Sequence, residues 1–260
     1  VIHAAPLTPF VAWPAGRTLL LASQSPRRAE LLQLAGLPFA VEPPGEVEAE
    51  LSARLTAAGA GPAEYALALA RAKAADVAAR WPGRLVLGAD TIVVVDGDVL
   101  EKPRDRADAA RLLARLSGRR HTVITAIALC SIALCSDGTG PGGAPGSGAV
   151  EPGAVEPDAV EPDAVEPDAV EPDAVEPAAV DLAAAESTEV EFLPLTAAAI
   201  ERYIATGEPM DKAGAYGIQG YGAMMVRRVE GCYFNVMGLP LARLGQLLGQ
   251  VLDAAAGGTP

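Results

Sequence analysis

The chain of 260 residues is half apolar, enough to bury a sizeable core as one large domain or two small ones. Its formal charge of −13 is unevenly spread: residues 149–180 hold ten acidic and no basic residues, leaving −3 for the rest, so the acidity says little against polyphosphate binding elsewhere. Three cysteines (Cys130, Cys135, Cys232) show neither CxxC nor zinc spacing, and no apolar run reaches membrane-spanning length; a disulfide framework and a membrane span drop out, and the cytoplasm is the expected compartment.

The first 16 residues hold three prolines and lack a basic segment followed by an apolar one, so residues 1–17 read as a loose tail. A first strand is expected at 18–22, ending at Ser23-Gln24-Ser25, and Pro26 opens a helix that Ser25 caps and Gly36 ends. A second helix spans 62–81. Residues 85–89 and 92–95 form an apolar stretch interrupted by Asp90-Thr91, and Asp96-Gly97 turns the chain toward Val99-Leu100. Ala109, Leu112, Leu113 and Leu116 mark a helix over 106–116, and a strand follows at 121–129.

From Ser136 the pattern collapses into Gly, Pro and Ser, then into a five-residue repeat of Ala-Val-Glu-Pro-Asp and its variants that runs to about Pro177. A proline every fifth residue forbids a continuous helix and suits no central strand, and the acidic side chains repel one another. Residues 136–186 are therefore expected to be a disordered, low-complexity insert. Just upstream, Ile-Ala-Leu-Cys-Ser occurs twice, at 127–131 and 132–136, as local duplication would leave it. Order resumes with a strand at 188–193, a helix from the Thr196 cap to Ala205, a glycine-rich loop at 207–222, a hairpin of 223–229 with 232–237, and a final helix at 241–252. Alternating helices and strands with hairpins mixed in predict an α/β fold around a mixed sheet, with residues 18–260 as one domain interrupted by the insert.

Four segments carry candidate chemistry. In Ser23-x-Ser25-Pro26-Arg27-Arg28, a helix N-terminus presents backbone N–H groups beside two arginines that oppose its dipole, an arrangement suited to an anion or, alternatively, a capped helix with solvated arginines. Asp90 interrupts an apolar β run, where a carboxylate is costly unless paired or metal-bound; it either serves a divalent cation or an attacking water, or it is a turn aspartate. Lys73 falls within the apolar stripe of its helix, either snorkelling or reaching into a cleft, and Lys102 follows a strand. The loop Gly207–Gly220 permits close backbone approach, and Gln219 offers the donor and acceptor needed to read a base edge. Neither a dinucleotide fingerprint nor a GxxxxGK[ST] loop is present.

Taken together the stretches LASQSPRRAELL, GEVEAEL, LARAKA, LGADTIVVVDG, LEKP, LSGRRHTVITAIAL, STEVEF, GEPMDKAGAYGIQG and NVMGLPL resemble the Maf family, the septum-formation-protein-like nucleotide pyrophosphatases, in family order and over nearly all of 19–252 except the insert. The resemblance implies a mixed, curved β-sheet with flanking helices and a two-lobed cleft, similar to that of inosine-triphosphate pyrophosphatases. It implies that Asp90 is the catalytic carboxylate, that Arg27, Thr91 and Gln219 select the substrate, and that Glu48, Lys73 and Lys102 are the other charged cleft positions. DKAGAYGIQG resembles the branch acting on dTTP and UTP rather than the one acting on 7-methyl-GTP. Two departures stand out: Glu101 replaces the glycine common before Lys-Pro, and the acidic repeat is not a family feature.

The expected mechanism follows from charge. A nucleoside triphosphate brings about four negative charges, to be met by Ser23, Ser25, Arg28, Lys73, Lys102 and Lys212 as phosphate or substrate ligands and by Mg²⁺ or Mn²⁺ on Glu48 and Asp90. The expected partner is a small nucleotide, dTTP, UTP or a modified pyrimidine, with no nucleic acid and no membrane, and with a homodimer as an allowed assembly. Alternatives are another base preference, such as 7-methyl-GTP, and a non-catalytic nucleotide-binding regulator of cell division with the acidic repeat as a binding arm.

Overall fold

A computed structural model describes residues 10–132 and 179–256. Its centre is one long strand, β3 (Val86–Val95), buried on both faces. β3 pairs in parallel with β1 (Leu19–Ala22), which pairs in parallel with β2 (Phe39–Val41). On its other side β3 meets β5 (Arg120–Ser131), followed by β6 (Val180–Phe192) and β7 (Val226–Glu230), all antiparallel, so the sheet is mixed. A short strand, β4 (Asp98–Leu100), returns along β3 through a two-residue turn, where Asp96 and Gly97 both take the positive φ that a type I′ hairpin demands.

Seven α-helices lie among the described residues: α1 (Pro26–Leu34), α2 (Glu48–Ala57), α3 (Pro62–Arg80), α4 (Arg106–Leu116), α5 (Ala197–Ala205), α6 (Tyr233–Met237) and α7 (Leu241–Ala256). One face is packed by α3, whose small residues Ala66, Ala70 and Ala74 lie close over Leu20, Val86, Ile124 and Ala126. The opposite face carries two separate cores. Leu87, Ala89, Ile127 and Leu129 pack under α1 and α7 through Leu31, Leu32, Leu244 and Leu248. Farther along the same strands, Val93, Val95 and Val123, joined by Phe192, pack under α4 and α5 through Leu112, Leu113, Ile200 and Ile204. Between the two cores lie Thr91 and Thr125, register partners whose Oγ1 atoms are 3.0 Å apart. The two lobes thus share one sheet and part at a polar seam.

The architecture is the expected α/β one, with local differences. Asp90 and Thr91 do not break the apolar run; they pair with Ala126 and Thr125 inside β3, which overturns the turn reading of Asp90. The predicted hairpin of 223–229 with 232–237 is absent: β7 pairs with β6, and Tyr233–Met237 is a helix closed by Gly238 at φ 115. Aromatic and β-branched residues gave that run a strand composition, but the completely buried Asn235 decides otherwise. Its side chain accepts from Thr125 N and donates to Val123 O and Thr188 Oγ1, bonds that a burial this complete requires.

Boundaries shift as well. β6 reaches back to Val180, so residues 180–186, assigned to the insert, are strand paired with β5; the remainder of that segment lies outside the described residues. Of the expected loose tail, residues 1–9 lie outside the described residues, whereas Trp13 is buried in the α1/α7 core and its Nε1 donates to Arg17 O. β2 and α2 carried no clear sequence signal, since α2 buries no residue fully. No helix among the described residues is long and apolar enough to cross a membrane. Cys130 and Cys232 are free thiols, and Cys135 lies outside the described residues.

Candidate active site

A gap in the sheet edge creates the site. β1 stops at Ala22, opposite Gly88, and β4 takes up pairing only at Val93, so residues 89–92 of β3 have no strand partner on that side among the described residues. A cavity of about 930 Å³ opens at this gap, within the range of small-ligand sites. Successive residues of a strand point to opposite faces, so Asp90 looks toward α3 while Thr91 looks toward the seam between the two cores.

On the α3 face the cavity is charged. Gly88 lets α3 come close, for a Cβ there would sit 2.2 Å from the Ala70 carbonyl oxygen. Lys73, one turn along, is thereby held against β3, and its Nζ lies 2.7 Å from Asp90 Oδ1 and 2.8 Å from Glu48 Oε1. The lysine that sequence reading left between snorkelling and cleft-facing is the buried bridge between two carboxylates. Burial alone would raise the Glu48 pKa, but the bond from Lys73 and the nearby positive charges of Lys102 and Arg28 hold it below the usual carboxylate range. Glu101 belongs to the same half: its Oε1 accepts from Tyr65 OH, 3.1 Å away, which in turn meets Ser52 Oγ.

At the upper rim, β1 runs into α1 with Ser25 at the cap position, Pro26 in the first turn and no capping bond from the serine side chain. Arg28 is buried and bonded on three sides: its Nε donates to Gly238 O, NH1 to Ser23 Oγ and NH2 to Thr91 Oγ1. Burial and the neighbouring Arg27 pull its pKa down from the ordinary arginine value, while Asp90 and Glu48 act against them. Ser23 Oγ also accepts from Ser25 N. Ser23 and Arg28 are therefore braces between α1, β3 and the end of α6, and Arg27 is the arginine left at the cavity rim, where NH1 meets Asp211 Oδ2 at 2.9 Å.

The other face of the gap is largely apolar, with Val93, Val123, Tyr216, Val236 and Met237 lining it and the exposed Gln219 at its edge. The glycine-rich loop that supplies Tyr216 and Gln219 is not floppy in its bonding. Glu208 accepts from Tyr203 OH, Tyr221 N and Gly222 N, and a Cβ at Gly220 would fall 2.3 Å from its Oε2. Gly214 takes a φ of 67 and sits against Val93, where a Cβ would meet Val93 Cγ2 at 2.9 Å. Lys212 Nζ donates to Glu208 O and lies 2.6 Å from Asp211 Oδ1.

All eleven residues singled out from the sequence (Ser23, Ser25, Arg27, Arg28, Glu48, Lys73, Asp90, Thr91, Lys102, Lys212 and Gln219) line this one cavity. Sequence reading missed Tyr203, Glu208, Asp211 and Asn235. Asn235 was detectable by the argument used for Asp90, a polar residue amid an apolar run. Tyr203 sits on the apolar stripe of α5, and nothing local marked its hydroxyl as the anchor of Gly217 N and Glu208.

Comparison with known proteins finds relatives over most of the chain. The model of the Maf-like protein family matches residues 18–141 and 170–251. A dTTP/UTP pyrophosphatase of Symbiobacterium thermophilum is 43% identical over 232 residues, 89% of this chain and 93% of the relative. One of Moorella thermoacetica is 44% identical, covering 88% of this chain and 93% of its own, and one of Bacillus velezensis is 38% identical, covering 87% and 93%.

Proposed function

The chain belongs to the Maf family, and from that premise we propose that it hydrolyses dTTP and UTP to the nucleoside monophosphate and pyrophosphate. The observation that carries the reading is the placement of Asp90: a buried carboxylate at an open strand edge, with one oxygen held by Lys73 and with Arg27, Lys102 and Lys212 around the same cavity. Mere binding of a polyanion has no use for a carboxylate there; hydrolysis does.

In this reaction a water oxygen bonds to the α-phosphorus, the bond from that phosphorus to the bridging oxygen breaks, and pyrophosphate leaves opposite the water. Asp90 orients the water and accepts its proton. Lys73 keeps Asp90 and Glu48 together before substrate arrives, and Lys102, in the same cavity, adds positive charge for the phosphates. Glu48 and Asp90, two carboxylates brought to the same Lys73 Nζ, are the hard oxygen donors that Mg²⁺ or Mn²⁺ takes. Glu48 and Asp90 would hold that ion, which supplies charge neutralisation at the phosphates.

The test is Asp90→Asn assayed on dTTP and UTP by pyrophosphate release. The expected loss is at least about a hundredfold in kcat with the fold intact. Wild-type turnover by a folded variant would remove Asp90 from the chemistry. The same assay over modified pyrimidine triphosphates and 7-methyl-GTP tests the choice of base.

A further inference from the structure

We propose that Asp211, set between Arg27 and Lys212, selects uracil and thymine over cytosine by accepting the imide N–H of the base. The proposal rests on the pyrimidine triphosphatase reading above and names a selecting group for it.

The three side chains form an ordered row at the cavity. Arg27 NH1 donates to Asp211 Oδ2 at 2.9 Å, and Lys212 Nζ donates to Oδ1 at 2.6 Å. The row therefore runs donor, acceptor, donor. Uracil and thymine present the complement along one edge: a carbonyl oxygen, the ring N3–H and a second carbonyl oxygen. Cytosine presents an amine and a bare ring nitrogen in the first two places, so it would set an amine against Arg27 and a lone pair against a carboxylate. Such mismatches discriminate more strongly than any loss of apolar contact.

Asp211 is fit for this duty. Partial burial pushes its pKa up, but the bonds from Lys212 and Arg27 outweigh that and hold it below the usual carboxylate range, so at neutral pH it only accepts. Its side chain keeps 58% of its exposure, which leaves it reachable. Lys212 is fixed from two further sides, by Glu208 O and by the backbone of Gly217, where a Cβ would meet Lys212 Cε at 2.7 Å. Arg27 is carried by the first turn of α1. The row is thus built from one helix end and one bonded loop, and the apolar lining of Val93, Tyr216 and Met237 lies in the same cavity to receive the face of the ring. A carboxylate beside two cations would be a poor choice if those cations served phosphate alone, since it competes for them.

The experiment measures kcat/KM for dTTP, UTP, dCTP and CTP with the wild type, Asp211→Asn and Asp211→Ala. The ratio of dTTP to dCTP is expected to fall about tenfold or more in both variants. In Asp211→Asn the amide offers a donor to the cytosine ring nitrogen, so dCTP turnover rises in absolute terms. An equal fall for all four substrates, or no change, would overturn the proposal and leave Asp211 as a counter-ion to Arg27 and Lys212. A wild type that splits none of the four sinks the proposed function instead. Calorimetric titration with dUMP and dCMP then decides the row separately: wild-type preference for dUMP that vanishes in Asp211→Asn supports it, and the absence of preference overturns it.

Discussion

Replacing Gly88 with alanine would put a methyl carbon 2.2 Å from the Ala70 carbonyl oxygen, 2.8 Å from Ala74 N and 2.9 Å from Ala74 Cβ. Carbon and carbonyl oxygen settle at about 3.3 Å, so α3 must retreat from β3 by roughly 1 Å. The obstructing atoms are backbone and Cβ, which no rotamer change can move aside. Overpacking of this kind costs about 1–3 kcal/mol. The functional effect follows from what α3 carries. Lys73 lies between Ala70 and Ala74, and its Nζ contacts Asp90 and Glu48 at 2.7 and 2.8 Å, so a retreating helix stretches or breaks both contacts. A misplacement of about 1 Å costs up to about a hundredfold in rate. Urea unfolding measures the first quantity and kcat/KM for dTTP the second, and both are expected to fall together. If stability falls while kcat/KM holds, the spacing of α3 and β3 does not set the site, and the reasoning from Gly88 to Lys73 fails.

Two further outcomes are expected. Burial lowers the pKa of His121 from 6.5 to about 4, consistent with a ring whose Nε2 meets Tyr216 OH and whose Nδ1 has no hydrogen-bond partner. The folded state keeps the ring neutral while the unfolded chain protonates below pH 6.5, so this stability is present above 6.5 and is lost as pH falls toward 4, about 3 kcal/mol in all. Urea midpoints between pH 4.5 and 7.5 should show the decline in the wild type and a flatter profile in His121→Phe; equal slopes would refute it. Joining Ile132 to Ala179 through two glycines should leave kcat/KM for dTTP within about twofold, because Ser131 and Val180 are already register partners and a short loop closes them. A shortened chain that fails to fold or loses turnover would show that residues 133–178 serve the domain.

Much of the fold was legible because its signals are local. The periodic leucines of α4, the Thr196 cap of α5 and the Asp96-Gly97 turn each state their own structure within a few residues, and all three are found as expected. α6 was not, because its composition favours a strand and only the distant Thr125, Val123 and Thr188 give Asn235 a reason to be buried. The same divide runs through the site. Asp90 and Lys73 each broke a local apolar pattern and so drew attention, and Gln219 did so by its paired donor and acceptor. Ser23 and Arg28, read as ligands from a helix N-terminus, line the cavity, and only the structure shows their further bonds to one another, to Gly238 and to Thr91. Asp211 breaks no pattern in a loop already rich in polar residues, and its importance is visible only once Arg27, 184 positions earlier, lies beside it.

The gap between β1 and β4 exposes one dipeptide to a single cavity from two faces. Asp90 and Thr91 are sequence neighbours, so the strand sends them to opposite faces, one toward Lys73 and Glu48 and the other toward the seam with Thr125 and Arg28. In a fully paired sheet no ligand could touch both. The missing partner along residues 89–92 opens one cavity to both sides of the strand, charged where Asp90 points and largely apolar where Thr91 points. The separation of the two half-sites is then set by the thickness of the sheet and the length of the gap rather than by mobile loops. A shift in strand register would move Asp90 and Thr91 to the wrong faces together, and the long ladder of β3 with β5, continuous from Val86 to Val94, is what opposes it.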